Sequence, residues 1–260
     1  MIADLMPLLP ISQAALWTGF VVFVRISAIL AVMPAFGDHA VPMRVRLVLA
    51  LMFTFIVAPT VALAIPPIKT GVFLAFTAIG PEVITGLFFG LFLRFFILAL
   101  QIAGSIAAQS TSLSQIFGGS AGVDPQPAIG HLLVVSGTAL AVMSGLHVQL
   151  AGYMIHTYTL VPTCELLSAA IVIDLGLQEV RRIFELGFSL AAPFLIASLV
   201  YNVVMGVINR AMPQLMVSFV GAPAIIAGGL LFLLITAPIM LGLWYAAFSS
   251  FMTSPFGPIP

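Results

Sequence analysis

LGFSLAAPFLIASLVYNVVMGVIN, residues 186–209, contains no charged side chain. A helix across a hydrocarbon core needs about 20 mostly apolar residues, so this stretch alone is long enough to span a bilayer. The same holds for the uncharged stretches Phe95–Val123, Pro125–Cys164 and Ala211 to the C-terminus. The 260 residues are 62% hydrophobic and only 6% charged, too few charges to solvate the surface of a soluble domain. Lipid offers the backbone no hydrogen-bond partner, so each spanning segment must satisfy its own N–H and C=O groups as a helix. The sequence therefore predicts an all-α integral membrane protein.

Six apolar blocks follow, at approximately 12–34, 47–65, 72–109, 128–161, 183–211 and 218–252. As one helix, 72–109 would be about 57 Å long, well beyond a core of roughly 30 Å. Gly80-Pro81, Pro223 and Pro238 are the expected break points, since proline removes a donor and clashes with the preceding turn. The polar stretch 162–182 separates the first four blocks from the last two, and LLSAAIVIDLGLQEV within it suits an interfacial helix. The last two blocks, joined by a short turn with Arg210 and Pro213, read as a helical hairpin.

Composition also narrows function. One cysteine, Cys164, excludes an internal disulfide and a cysteine-based metal cluster. A net charge of zero without a Lys/Arg run speaks against a nucleic-acid surface. The start, MIADLMPLLP, lacks a basic n-region and argues against a cleaved signal. Across alternate loops of a six-span layout, Lys69, Arg181 and Arg182 balance Arg44, Arg46 and Arg210, so the positive-inside rule selects no orientation. Such a tie is expected of a chain held mainly by other protein.

Between two of the apolar stretches lies QSTSLSQIFGGSAGVDPQPAIG, residues 109–130. Irregular backbone at membrane depth is tolerated only where protein buries it or where it lines a watery cavity. Ile116 and Phe117, followed by Gly118, Gly119, Ser120, Gly122 and Asp124, suit a movable stopper that closes a channel by contact and dewetting; a surface connector is the other reading. Gln101, Ser105, Gln109 and Ser112 fall on one helix face leading into it, either a water-facing wall or a hydrogen-bonding seam between helices.

Other signals are weaker. GGSAG at 118–122 matches G-x-S-x-G, yet no strand precedes it, and His131, His147 and His156 show no metal spacing, so neither a hydrolase nor a metal site is expected. Arg25, Glu82 and Arg94 lie inside apolar blocks, either in structural pairs or in the midplane site of a small-molecule or ion permease. Gly86 and Gly90 form GxxxG and predict close helix approach. No Walker A loop or other cofactor motif is present.

Several stretches together resemble the FliR family, the flagellar protein-export gate subunit with a counterpart in virulence type III secretion. They are RISAILAVMPAFGDHAVPMRVRLVLALMFTFIVAP (Arg25–Pro59), VDPQPAIGHLL with MSGLHVQLAGYMIHTYTLVP, and INRAMPQLMVSFVGAP (Ile208–Pro223). Met216 and Ser218 depart from that family's usual Asn and Phe. The resemblance implies a FliP-like part over 1–165 with a central plug loop at 109–130, then a connector and FliQ-like hairpin over 166–260. It further implies a helical hetero-oligomeric gate in the bacterial inner membrane, at the flagellar basal body. FliP, FliQ, FlhB and FlhA family proteins would be its partners, and unfolded export substrates its cargo. Ile116 to Asp124 would obstruct the channel, and Arg210, Pro213 and Gln214 would form the cytoplasmic hairpin tip near FlhB.

Overall fold

The computed structural model describes residues 8–37, 41–65, 72–110, 128–212 and 217–255. Among these there are no strands. The helices are α1 (Leu8–Val32), α2 (Met43–Val61) with a short 3-10 turn at Ala62–Ala64, α3 (Val72–Ser110), α4 (Ala128–Met143), α5 (Leu146–Leu160), α6 (Ala169–Ala211) and α7 (Val217–Thr253). Five helices are long and apolar enough to cross a membrane, and α4 with α5 makes a sixth if counted as one broken span. An all-α membrane protein with five to six long apolar helices is what the sequence predicts.

Helix ends follow local chemistry. Ala35, just after Pro34, takes a left-handed φ of 69°, a conformation in which α1 does not continue. Gly145, at φ 84°, turns the chain between α4 and α5, a conformation glycine adopts without a Cβ penalty. Ser168 accepts the N–H of Ile171 at 3.4 Å, the pattern of a serine at a helix start.

Two expectations are corrected. The predicted breaks at Gly80-Pro81, Pro223 and Pro238 are absent, and α3 and α7 run on as helices of 39 and 37 residues. Proline deletes one donor, while the surrounding helical bonds and neighbouring helices hold the remaining backbone, so a long apolar helix absorbs it. The polar stretch likewise does not form a separate interfacial helix: α6 begins at Ala169 and continues for 43 residues. Its charges pair along the helix instead. Gln178 donates to Asp174 at 3.1 Å, Arg181 to Glu185 at 2.7 Å, and Arg182 lies 3.5 Å from Glu179. At roughly 64 Å, α6 exceeds any bilayer core.

The chain packs as two compact units. The first comprises the described parts of Met1–Arg94, Gly145–Gln178 and Ser249–Pro260; the second, those of Phe95–Ser144 and Glu179–Phe248. In the first, α1 buries Val22, Ile26, Ile29, Leu30 and Met33, one helical stripe. The GxxxG of α3 seats on it. A Cβ on Gly86 would lie 2.5 Å from the Arg25 carbonyl oxygen, and one on Gly90 2.8 Å from that of Ile29. Tyr153 joins the aromatic core, donating to the Phe89 carbonyl at 3.0 Å with its ring 6.0 Å from Phe251.

The second unit centres on Trp244, which donates to the Phe96 carbonyl at 2.7 Å and stacks on Phe248 at 5.2 Å. Phe96 meets Phe248 edge-on at 5.4 Å. The hairpin of α6 and α7 is pinned by Phe194 against Phe232, edge-on at 5.0 Å. Aromatic pairs of this kind contribute about 0.5–1.5 kcal/mol beyond burial.

Replacing Gly86 by Val should force α3 off α1 and cost roughly 1–3 kcal/mol, the usual penalty of overpacking. Gly152, with nothing within 4 Å of an added Cβ, should accept Ala without loss. Thermal unfolding of the two variants in mild detergent checks both outcomes; equal melting points would refute the seating of α3.

Candidate functional site

The second unit brings together the two helices whose sequence brackets residues 111–127. Gly104 on α3 and Gly130 on α4 sit backbone to backbone: a Cβ on Gly104 would lie 2.7 Å from the Gly130 nitrogen and 3.2 Å from the Ile129 carbonyl carbon. Only glycine at 104 permits this approach. The seam lies six residues before the end of α3 and two after the start of α4. Gly137 on α4 extends the close packing, its position facing Leu100 and Trp244.

A groove of about 250 Å³ opens beside the end of α3, lined by Ser110, by Phe194, Ser198 and Tyr201 on α6, and by Ile225 and Phe232 on α7. Its walls are mainly apolar. The hydroxyls of Ser110 and Ser198 donate to the carbonyls of Ala107 and Leu195 in their own helices, at 2.8 and 3.0 Å. Such internal bonds let serine sit in an apolar wall without an unsatisfied donor.

The stripe on α3 is partly visible. Gln101 and Ser105 are half-buried and Gln109 is exposed, while Ser112 lies outside the described residues. Ser105 donates to the Ile102 carbonyl at 2.8 Å. The expected plug residues Ile116, Phe117, Gly118, Gly119, Ser120, Gly122 and Asp124 also lie outside them, as do Pro213 and Gln214 of the hairpin tip. Arg210 stands exposed in the last turn of α6. His131, His147 and His156 are all exposed, and among the described residues no cluster of His, Cys, Asp or Glu could hold a metal.

In the first unit, Arg25 and Glu82 engage each other. Nε reaches one carboxylate oxygen at 2.6 Å and Nη2 the other at 3.0 Å, with both side chains fully buried. Arg94 is exposed, its guanidinium 3.5 Å from the Val32 carbonyl. Burial, and next the Glu82 carboxylate, push the nearby Cys164 thiol up from its ordinary range.

The family described as Bacterial export proteins, family 1, matches residues 16–251, which take in both units, both sides of the glycine seam and the hairpin. The chain belongs to that family. It is 32% identical over 215 residues to the flagellar biosynthetic protein FliR of Caulobacter vibrioides, covering 82% of this chain and 86% of that one. To FliR of Aquifex aeolicus it is 27% identical over 230 residues, 88% of each chain. To FliR of Escherichia coli it is 26% identical over 212 residues, 79% of this chain and 78% of that one.

For this export-family chain, the sequence signalled the polar stretch but not the seam beneath it. Gly104 and Gly130 belong to no spaced motif, and a single sequence does not reveal which glycine on one helix meets which on another. Their enclosure of a polar stretch was the available hint.

The seam is asymmetric. A Cβ on Gly130 would meet nothing closer than 3.8 Å. Gly104→Ala should therefore cost about 1–3 kcal/mol, as overpacking does, with Gly130→Ala costing much less. Melting the two purified variants side by side tests this; a reversed order would show that the helices do not meet there.

Proposed function

We propose that this chain is a non-enzymatic subunit of the flagellar protein-export gate, helping to form and plug the channel through which unfolded substrates cross the bacterial inner membrane at the basal body. The observation that carries this reading is the glycine seam: two apolar helices of an export-family protein, α3 and α4, pack backbone to backbone on either side of a polar, glycine-rich stretch of sequence. Relatives named flagellar biosynthetic protein FliR support a flagellar role.

In this reading residues 1–165 form a FliP-like part and 166–260 a connector with a FliQ-like hairpin. The segment from Ile116 to Asp124 occludes the bore sterically and by dewetting. Gln101, Ser105, Gln109 and Ser112 face its water. FliP and FliQ copies complete the wall, and the tip at Arg210, Pro213 and Gln214 meets FlhB, with FlhA belonging to the same apparatus. Uncovered apolar helix favours such neighbours: only 11% of the most apolar window of α6 and 17% of that of α7 is buried within the chain. A permease would need Arg25, Glu82 and Arg94 around one site, whereas Arg25 and Glu82 satisfy each other.

Deleting Gly118–Gly122 should make the membrane leak ions while the subunit still assembles. Ion flux in cells or vesicles carrying the intact apparatus measures this. A tight membrane around an assembled variant would remove the plug from the proposal.

A further inference from the structure

The segment joining α5 to α6, residues 161–168, has no regular secondary structure. Its first half is nevertheless tied to α1 and α3. Beyond the pair it makes with Glu82, Arg25 donates through Nη1 to the carbonyls of Val161 at 3.0 Å and Thr157 at 3.3 Å, and Nη2 approaches that of Pro162 at 3.5 Å. Its guanidinium also lies 4.0 Å from the centre of the Tyr158 ring. From the other side, the Cys164 backbone N–H donates to the same Glu82 oxygen that binds Nη2, at 2.8 Å. Cys164 holds a left-handed φ of 63°, uncommon outside glycine.

The division of labour is chemical. A guanidinium offers five donors and no acceptor, and an ionised carboxylate accepts only. Arg25 caps the carbonyls that end α5, while Glu82 holds the amide of the residue that turns the chain away. A buried ion pair breaks even against desolvation only when further hydrogen bonds satisfy it. Here those bonds come from the connector itself. Gly86, one turn after Glu82, lets α3 approach the Arg25 backbone closely enough for the pair to form.

We infer that Arg25 and Glu82 form a latch on the connector, fixing where the chain departs towards α6. The two are positioning residues acting on 161–164, and their polarity matters as much as their pairing. With the charges exchanged, an ion pair could re-form, but a carboxylate at 25 has no proton for the Val161 and Pro162 carbonyls. A guanidinium at 82 has no acceptor for the Cys164 amide. The inference stands apart from the plug and from the export role.

Hydrogen exchange of the intact membrane assembly reads the latch directly. In the wild-type protein the Cys164 amide should exchange at least ten-fold more slowly than the amides of 165–168, and this comparison needs no variant. Glu82→Ala should abolish that protection. Glu82→Gln, which keeps an acceptor oxygen, should fall between, with exchange in α7 unchanged. The exchanged pair, Arg25→Glu with Glu82→Arg, should be as fast as Glu82→Ala. Thr163→Ala removes only a neutral bond to the Ala64 carbonyl and should leave the Cys164 amide within about two-fold of wild type. Wild-type exchange at Cys164 as fast as at 165–168 would overturn the latch. So would restored protection in the exchanged pair, because pairing alone would then suffice.

Discussion

In hydrocarbon, every backbone N–H and C=O must find its partner within protein, and this constraint organises the whole chain. It explains why α3 passes through Pro81 and α6 through Pro193 without ending. Opening a helix would expose several carbonyls and amides, where proline removes one donor. It also explains the behaviour of small polar side chains. Ser27, Thr54, Thr138 and Thr236 all turn their hydroxyls back onto carbonyls three or four residues earlier. Where α5 ends, its freed carbonyls find a guanidinium.

With backbone bonds satisfied internally, helix association falls to close packing, since lipid tails are as apolar as leucine. Glycine supplies the closeness. Gly86 and Gly90 set α3 on α1, and Gly104 sets α3 on α4, so one helix is seated in each unit by missing Cβ atoms. Burial is correspondingly uneven: 56% of the most apolar window of α3 is buried, against small fractions for α6 and α7. A helix of 43 residues cannot hide its length in a bilayer, so its outer faces call for protein as well as lipid.

Much of this was legible in the sequence, and the misses share a cause. Apolar blocks marked each long helix, and the GxxxG at 86–90 announced a close approach. Arg25 and Glu82 could be read as needing partners, because lone charges are costly among apolar residues. Which partner each takes was hidden, since they are 57 positions apart. Block boundaries at charged residues misplaced the start of α6. Charges at spacings of four read as the end of a membrane span, yet they stabilise helix by pairing along it. Of the candidate site, the sequence disclosed the polar stretch and the hairpin, whereas the Gly104 seam depends on how two helices are rotated about their axes.

One sequence feature ties the seam to the gate reading. Asp124 is the sole charge between Arg94 and Glu165. A carboxylate at the centre of a bilayer costs about 2.5–3.5 kcal/mol even on the mildest insertion scale. Its neighbours Pro125 and Pro127 carry no backbone N–H to donate. Lipid is therefore the least favourable surrounding for this stretch, leaving water or protein. In the reading proposed above, a bore shared with sister subunits would supply both. A cytoplasmic connector would also hydrate Asp124, but it would leave Ile116 and Phe117 exposed to water at a cost that contact across a narrow bore removes.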